Sequence, residues 1–202
     1  MPEPVVLGFD TSAAHCAAAL LCEGRIMASR REEMARGQAE RLFPMLEEML
    51  AEAGLGWRDL DVIGVGTGPG NFTGIRVAVA AARGLALSLS IPAIGISAPE
   101  AAAYGLPRPC RVILPARRDQ VIWQDFGDGE ETGPPQLAAS DSLPPGPAQA
   151  APAVPLAEAI AHLALARRSQ PPPRPPPSEI APPRAAPAPA TAPAHPAGPP
   201  GP

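Results

Sequence analysis

The stretch VIGVGTGPGNFTGIRVAVAAARGLALS, residues 62–88, decides the fold of this chain. Its β-branched start, Val62–Val65, predicts a strand buried on both faces, because the run lacks alternating polar side chains. A glycine-rich turn, Gly68–Gly74, reverses the chain, and Asn71 or Thr73 is positioned to cap the helix that follows. That helix mixes large apolar residues with alanine and glycine. A helix that is apolar on all sides must be buried, either in its own chain or in a partner.

Upstream of this stretch, the pattern predicts an antiparallel meander and one helix. Short apolar runs at Val5–Phe9, His15–Cys22 and Arg25–Glu32 are separated by tight turns, as in sequential strands. Apolar residues then recur at helical spacing over Gln38–Ala53. Pro44 lies in this helix, so it occupies either the first turn or a kink.

Downstream, Ala93–Ser97 predicts another strand, and Ser97 begins a Ser-x-x-Glu capping box for a short helix ending at Gly105. Periodicity by itself therefore predicts a mixed α/β domain. The element order, with a hairpin first and crossover helices later, is that of the ribonuclease-H-like half of actin-type and sugar-kinase-type ATPases, the ASKHA fold.

A smaller set of elements follows from residue 106. Runs at Arg111–Leu114 and Val121–Phe126 predict a second hairpin, whereas residues 127–154 are rich in Pro, Gly and Ala and predict no strand. Pro155–Arg168 predicts a helix whose apolar set is Leu156, Ile160, Leu163 and Leu165.

These patterns divide the chain into three parts. Residues 1–105 form a complete ribonuclease-H-like half, and residues 106–170 form a reduced second half. Residues 171–202 hold 15 of the 31 prolines, a composition that cannot bury enough apolar surface to offset chain entropy. We therefore expect a disordered, polyproline-like tail.

Composition argues against several functional classes. A net charge of −4 gives no basic face for gripping nucleic acid directly. Three cysteines without CxxC spacing indicate a reducing cytoplasm and no structural zinc. No signal peptide is recognisable, and Arg76 and Arg83 interrupt the one long apolar helix, so we expect no membrane segment.

Two stretches invite comparison with phosphate-binding loops, and only the first keeps the necessary residues. Asp10, Thr11 and Ser12 end a buried strand, where ATPases of this fold class hold phosphate and metal, although the same triplet makes an ordinary polar turn. The glycine turn is not a P-loop, because Ile75 and Arg76 stand where a P-loop needs lysine and a hydroxyl residue. Close packing is the better interpretation of its glycines. For Arg76, the better interpretation is an ion pair, either within the fold or across an interface.

Other catalytic schemes lack their residues. The three histidines, His15, His162 and His195, form no HxxxH or HExxH pair for a metal. The run Gly95–Pro99 lacks the second glycine of a serine nucleophile elbow.

The remaining functional candidate is a surface that binds a partner protein. The helices predicted at Gln38–Ala53 and Gly74–Leu89 carry more apolar area than one small sheet can cover, which favours a partner interface over simple sheet packing. The candidate interface residues are Leu42, Met45, Leu46, Met49, Gly68, Gly70, Asn71, Phe72, Thr73, Gly74, Arg76 and Ala78.

The turn sequence GTGPGNFTGIR resembles the signature of the TsaB family, also called YeaZ, in the same strand-turn-helix context. The resemblance covers Val5 to about Phe126. It implies the ASKHA fold and a dimerisation subunit of the machinery that makes threonylcarbamoyladenosine in tRNA. It also implies a TsaD-like catalytic partner, a TsaE-like ATPase and a possible homodimer. Residues 98–104 lack the histidine pair that the catalytic relative TsaD carries after this strand.

Three functional hypotheses follow. The first is a non-catalytic cytoplasmic scaffold without a cofactor of its own, in which ATP and metal belong to partner subunits and tRNA is contacted only through the complex. The second is an ATPase or phosphotransferase that uses Asp10, Thr11 and Ser12. The third, a peptidase, has no recognisable nucleophile or metal site.

Overall fold

The computed structural model describes residues 3–116, 118–128 and 131–169. These residues fall within one compact unit. The proline-rich tail that the sequence predicts at 171–202 lies outside the described residues.

A five-stranded mixed sheet forms the centre of the fold. Its strands are β1 (Val6–Asp10), β2 (His15–Cys22), β3 (Arg25–Glu33), β4 (Val62–Gly66) and β5 (Ala93–Ile96), in the spatial order β3-β2-β1-β4-β5. The first three strands pair antiparallel, and β4 and β5 continue parallel to β1. The predicted meander and the ribonuclease-H-like α/β class are confirmed.

Two helices cover one face of this sheet. Helices α1 (Gln38–Glu52) and α2 (Phe72–Leu89) share a buried cluster with alternate residues of β1 and β4, including Leu7, Phe9 and Ile63. Alternate strand residues point to one face, so both helices lie on the same side. Pro44 is inside α1, beyond the first turn, and is exposed, so the first-turn alternative is wrong.

Helix α4 (Leu156–Arg167) covers the opposite face, against β1, β2 and β4. It lies very close to the sheet: a Cβ added at Gly8 would come within 2.7 Å of the Ala157 carbonyl oxygen, and one at Gly64 within 2.9 Å of Ile160. Ala157, Ile160 and Ala161 are buried against the sheet, and the two alanines let the backbones approach closely. Of the predicted apolar set, Ile160 is fully buried, and Leu156, Leu163 and Leu165 are partly buried and pack against core clusters.

A second sheet of three antiparallel strands follows the short helix α3 (Ala98–Ala102). Its strands are β6 (Cys110–Pro115), β7 (Gln120–Phe126) and β8 (Glu131–Ala139). The expectation of no strand in residues 127–154 is wrong, because β8 is an edge strand and edges tolerate Pro134 and Pro135. The domain boundary at residue 105 stays a prediction, and α4, from beyond it, packs on the first sheet.

Candidate partner interface and the loop beneath it

The polar triplet that ends β1 is fully buried. Asp10, Thr11 and Ser12 are 1%, 0% and 3% exposed. The Oδ1 atom of Asp10 accepts hydrogen bonds from the backbone N–H of Ser12 at 3.0 Å and from its hydroxyl at 2.9 Å. The same oxygen lies 2.8 Å from Nε2 of the buried His15. The carboxylate thus holds its own loop together.

The glycine turn and the start of α2 close over this triplet. The hydroxyl of Thr11 donates to the carbonyl oxygen of Gly74 at 2.7 Å. The backbone N–H of Asn71 donates to the carbonyl oxygen of Ser12 at 2.6 Å. A Cβ at Gly74 would collide with the Thr11 carbonyl oxygen, and one at Gly70 with the Ser12 carbonyl oxygen. The turn needs these two glycines for close backbone approach, as predicted.

Helix α2 begins with a side-chain cap. The Oδ1 atom of Asn71 accepts from the N–H groups of Thr73 at 3.0 Å and Gly74 at 3.2 Å. Of the two predicted caps, Asn71 is therefore the one used. Phe72, the first helical residue, is 64% exposed, and the Arg76 guanidinium lies 3.8 Å from its ring centroid in a cation–π contact. An ion pair of Arg76 across an interface stays a prediction.

One side of α2 is not covered by the described part of the chain. Its buried residues are Gly74, Ala78 and Ala82, whereas Leu87 is 84% exposed. The helix has a mean hydropathy of 1.4 over 18 residues, of which 17% are buried, so by length and composition alone it could span a membrane. A helix packed on a sheet passes the same test, and the expectation of no membrane segment stays a prediction.

A shallow apolar groove of about 560 Å³ runs between α1 and α2. Aromatic and aliphatic side chains of α1 form one wall, and small residues of α2 form much of the other. The lining residues are Ala39, Leu42, Phe43, Val77, Ala80, Ala81, Gly84, Leu85 and Ser88.

The predicted interface residues separate into two groups. Six of the predicted residues lie within the chain's own core: Leu42, Met45, Leu46, Met49, Gly74 and Ala78. Five of them offer almost no surface to a partner and are therefore wrong as direct contacts, whereas Leu42 also lines the groove and stays a prediction. Gly68 is also buried, with a φ of +80° beneath Ile75. The exposed members are Gly70, Asn71, Phe72, Thr73 and Arg76.

Sequence reasoning missed the residues on the outer side of these helices. Phe43, Gly84 and Leu87 are exposed, and Phe43 is 41% exposed. Two signals could have found them: Phe43 interrupts the polar side of α1, and Gly84 is a glycine inside a helix, where it costs about 1 kcal/mol relative to alanine.

Ser12 is not part of a serine–histidine pair. Its hydroxyl donates to the Asp10 carboxylate at 2.9 Å rather than to a histidine. Residues 3–116, 118–128 and 131–169 contain no group of three His, Cys, Asp or Glu side chains that could hold a metal ion.

Cys16 and Glu100 are among the groups whose pKa the fold shifts. Burial raises the pKa of the Cys16 thiol to about 11, with the nearby Glu32 carboxylate adding to the effect. Burial also raises the pKa of the Glu100 carboxyl, but hydrogen bonds from Ser97 and Arg167 outweigh it, so the pKa falls below its ordinary value. Glu100 therefore stabilises the contact between α3 and α4 as a carboxylate.

Comparison with known proteins identifies the family. The family model described as TsaD, tRNA N6-adenosine threonylcarbamoyltransferase, matches residues 26–166. TsaB of Haemophilus influenzae, a tRNA threonylcarbamoyladenosine biosynthesis protein, is 38% identical over 143 residues, which cover 63% of this chain and 60% of the relative. TsaB of Escherichia coli is 33% identical over 126 residues, covering 60% and 54%. An uncharacterised protein of Mycobacterium tuberculosis is 35% identical over 139 residues, covering 69% and 66%. The chain thus spans between 54% and 66% of these relatives' lengths.

A solved structure agrees with this assignment. The structure of YeaZ from Pseudomonas aeruginosa superposes with a TM-score of 0.68 at 29% identity, covering 81% of this chain and 92% of that one. A second structure, described as similar to the peptidase YeaZ from that organism, gives the same TM-score. The fold and the family match define a ribonuclease-H-like α/β protein of the TsaD family. Within it, the chain belongs to the TsaB group, also called YeaZ.

Proposed function

We propose that this chain is a non-catalytic scaffold subunit of the assembly that adds a threonylcarbamoyl group to adenosine beside the tRNA anticodon. It pairs with a TsaD-like catalytic subunit and holds that subunit in a competent arrangement. The observation that carries this proposal is the uncovered apolar side of α2, where Leu87 is 84% exposed and Phe72 64% exposed.

The groove beside α2 has the shape of a helix-docking site. Ala80, Gly84 and Ser88 follow one another at four-residue spacing on α2 and line the groove. A Cβ at Gly84 would have no heavy atom within 4 Å, so this position is open to an approaching backbone. Amphipathic helices bind such grooves through their apolar faces.

The same surface suits a second copy of the chain. Arg83 on α2 and the exposed Glu40 and Glu47 on α1 form no ion pair within the described residues. In a two-fold arrangement, α2 of each copy would lie against α1 of the other, where these charges attract. A homodimer and a heterodimer with the catalytic subunit would therefore compete for one surface.

The remaining assignments follow from the scaffold role. A TsaE-like ATPase joins the assembly, ATP and metal belong to partner subunits, and tRNA is contacted through the complex in the cytoplasm. The ATPase hypothesis is weaker, because the hydroxyl of Thr11 and the N–H of Ser12 are already engaged inside the fold. The peptidase hypothesis is weaker because the hydroxyl of Ser12 is buried and bonded to Asp10.

Complementation of a TsaB-depleted strain tests the proposal, with the modified nucleoside measured by mass spectrometry. Leu87→Arg should abolish both complementation and co-purification with the TsaD-family subunit, because it places a charge in the docked surface. Leu137→Arg, at another exposed leucine on β8, is the matched control and should preserve both. Gly74 and Ala78 are unsuitable test positions, since changes there would disturb the core. Normal co-purification by the Leu87 variant would refute the scaffold interface.

A further inference from the structure

We propose that Thr11 is a positioning residue: the loop Asp10–Ser12 fixes the position of α2 so that its outer side can dock. This inference rests on the proposed scaffold function, and it gives the loop a role other than holding phosphate. The elements it joins are far apart in sequence, since Thr11 and Gly74 are separated by 63 residues.

Every fully buried residue of α2 is small, although Val79, Leu85 and Leu89 also pack, partly buried, against the same core cluster. Its three buried residues, Gly74, Ala78 and Ala82, have no side chain larger than a methyl group. Interdigitating large side chains normally fix how one element sits on another. Because none of these large side chains is fully buried, directional contacts at the start of the helix add to what side-chain packing fixes.

The loop supplies these directional contacts at the start of the helix. Thr11 donates its hydroxyl proton to the carbonyl oxygen of Gly74, and the carbonyl oxygen of Ser12 accepts from the N–H of Asn71. Asp10 stabilises the loop in turn, because its Oδ1 atom accepts hydrogen bonds from the backbone N–H and the hydroxyl of Ser12. The loop residues that make both contacts, Thr11 and Ser12, are buried, and buried hydrogen bonds meet little competition from water.

The contacts that hold α2 in place are incompatible with phosphate binding by the same loop. A phosphate in this loop would need the Thr11 hydroxyl and the Ser12 N–H as donors, and both are engaged. It would also need the space that Gly70 and Gly74 occupy against the loop backbone. With α2 held by these contacts, the loop therefore cannot bind nucleotide.

Thr11→Val removes the hydroxyl and keeps the shape, whereas Thr11→Ser keeps the hydroxyl. Thr67→Val, at an exposed threonine with no side-chain hydrogen bond among the described residues, is the matched control. Affinity for the TsaD-family subunit is measured by calorimetry, and amide hydrogen exchange is measured along α2. We expect Thr11→Val to weaken binding about tenfold, or about 1.4 kcal/mol, and to speed exchange in the first turns of α2 but not in β1 or β4. Thr11→Ser and Thr67→Val should stay within about twofold of the parent.

Three results would overturn the inference: parental affinity in Thr11→Val, unchanged exchange in α2, or micromolar binding of Mg-ATP by the unaltered chain. If the unaltered chain binds no TsaD-family subunit, the proposed function fails instead. In that case hydrogen exchange alone decides the role of Thr11: selectively faster exchange in α2 supports it, and unchanged exchange refutes it.

Discussion

Gly84→Ala should change stability and partner affinity in opposite directions. Gly84 is exposed near the middle of α2, and a Cβ built there would meet no heavy atom within 4 Å. Its φ is not in the left-handed region, so alanine fits the helix without strain. Within its own chain the substitution therefore adds helix propensity and costs no packing.

The magnitudes follow from this geometry. Alanine in place of a helix-interior glycine raises the free energy of unfolding by about 0.5–1 kcal/mol. For a domain of this size, that raises Tm by roughly 1–4 °C. If a partner backbone approaches the groove at Gly84, the added methyl group overpacks the contact and costs about 1–3 kcal/mol. Affinity for the partner should then fall by roughly 5- to 150-fold.

Urea denaturation in a Leu87→Arg background measures the stability change, because that background removes the effect of association on stability. Calorimetric titration with the TsaD-family subunit measures affinity in the otherwise unaltered chain. Ala166→Gly, the reverse change at an exposed position of α4, is the control: it should lower stability slightly and leave affinity unchanged. A Gly84→Ala chain that binds the partner at parental affinity would refute a close helix crossing. A Gly84→Ala chain that is less stable than the parent would contradict the free space that the structure shows around Gly84.

Three further predictions concern the core. Gly8→Ala should lower the free energy of unfolding by about 1–3 kcal/mol in urea denaturation, because its Cβ collides with the backbone of α4, whereas Gly95→Ala meets one side-chain methyl group and should cost less. The lowered pKa of Glu100 stabilises the fold above the ordinary glutamate pKa of 4.5, and this contribution is lost as pH falls through the folded-state value. Glu100→Gln should therefore make the free energy of unfolding fall less steeply as pH decreases below about 4.5. An unchanged slope in that pH range would contradict this. Cys16, with a pKa of about 11, should resist thiol reagents at pH 8 until unfolding, whereas the partly exposed Cys22 should react in the native state; equal labelling rates would contradict the structure.

The candidate site was partly predictable from the sequence. The glycine turn, the strand before it and the Asn71 cap are local features, and both helices of the interface were found. The faces of α1 were assigned wrongly, because its apolar stripe covers the chain's own sheet. A stripe at helical spacing indicates that a helix is covered, but it does not indicate what covers it.

The sequence by itself determined the elements whose contacts lie within a few residues: strands from alternation and apolar runs, the turn from its glycines, and helix starts from Asn71 and Ser97. Only the tertiary structure decided that α4 lies on Gly8 and Gly64, that Thr11 reaches Gly74, and that Phe72 and Leu87 remain outside. The contacts of α4 and of Thr11 join residues that lie tens of positions or more apart in the sequence. Their geometry depends on how closely two backbones approach, and residue spacing along the chain carries no record of that distance.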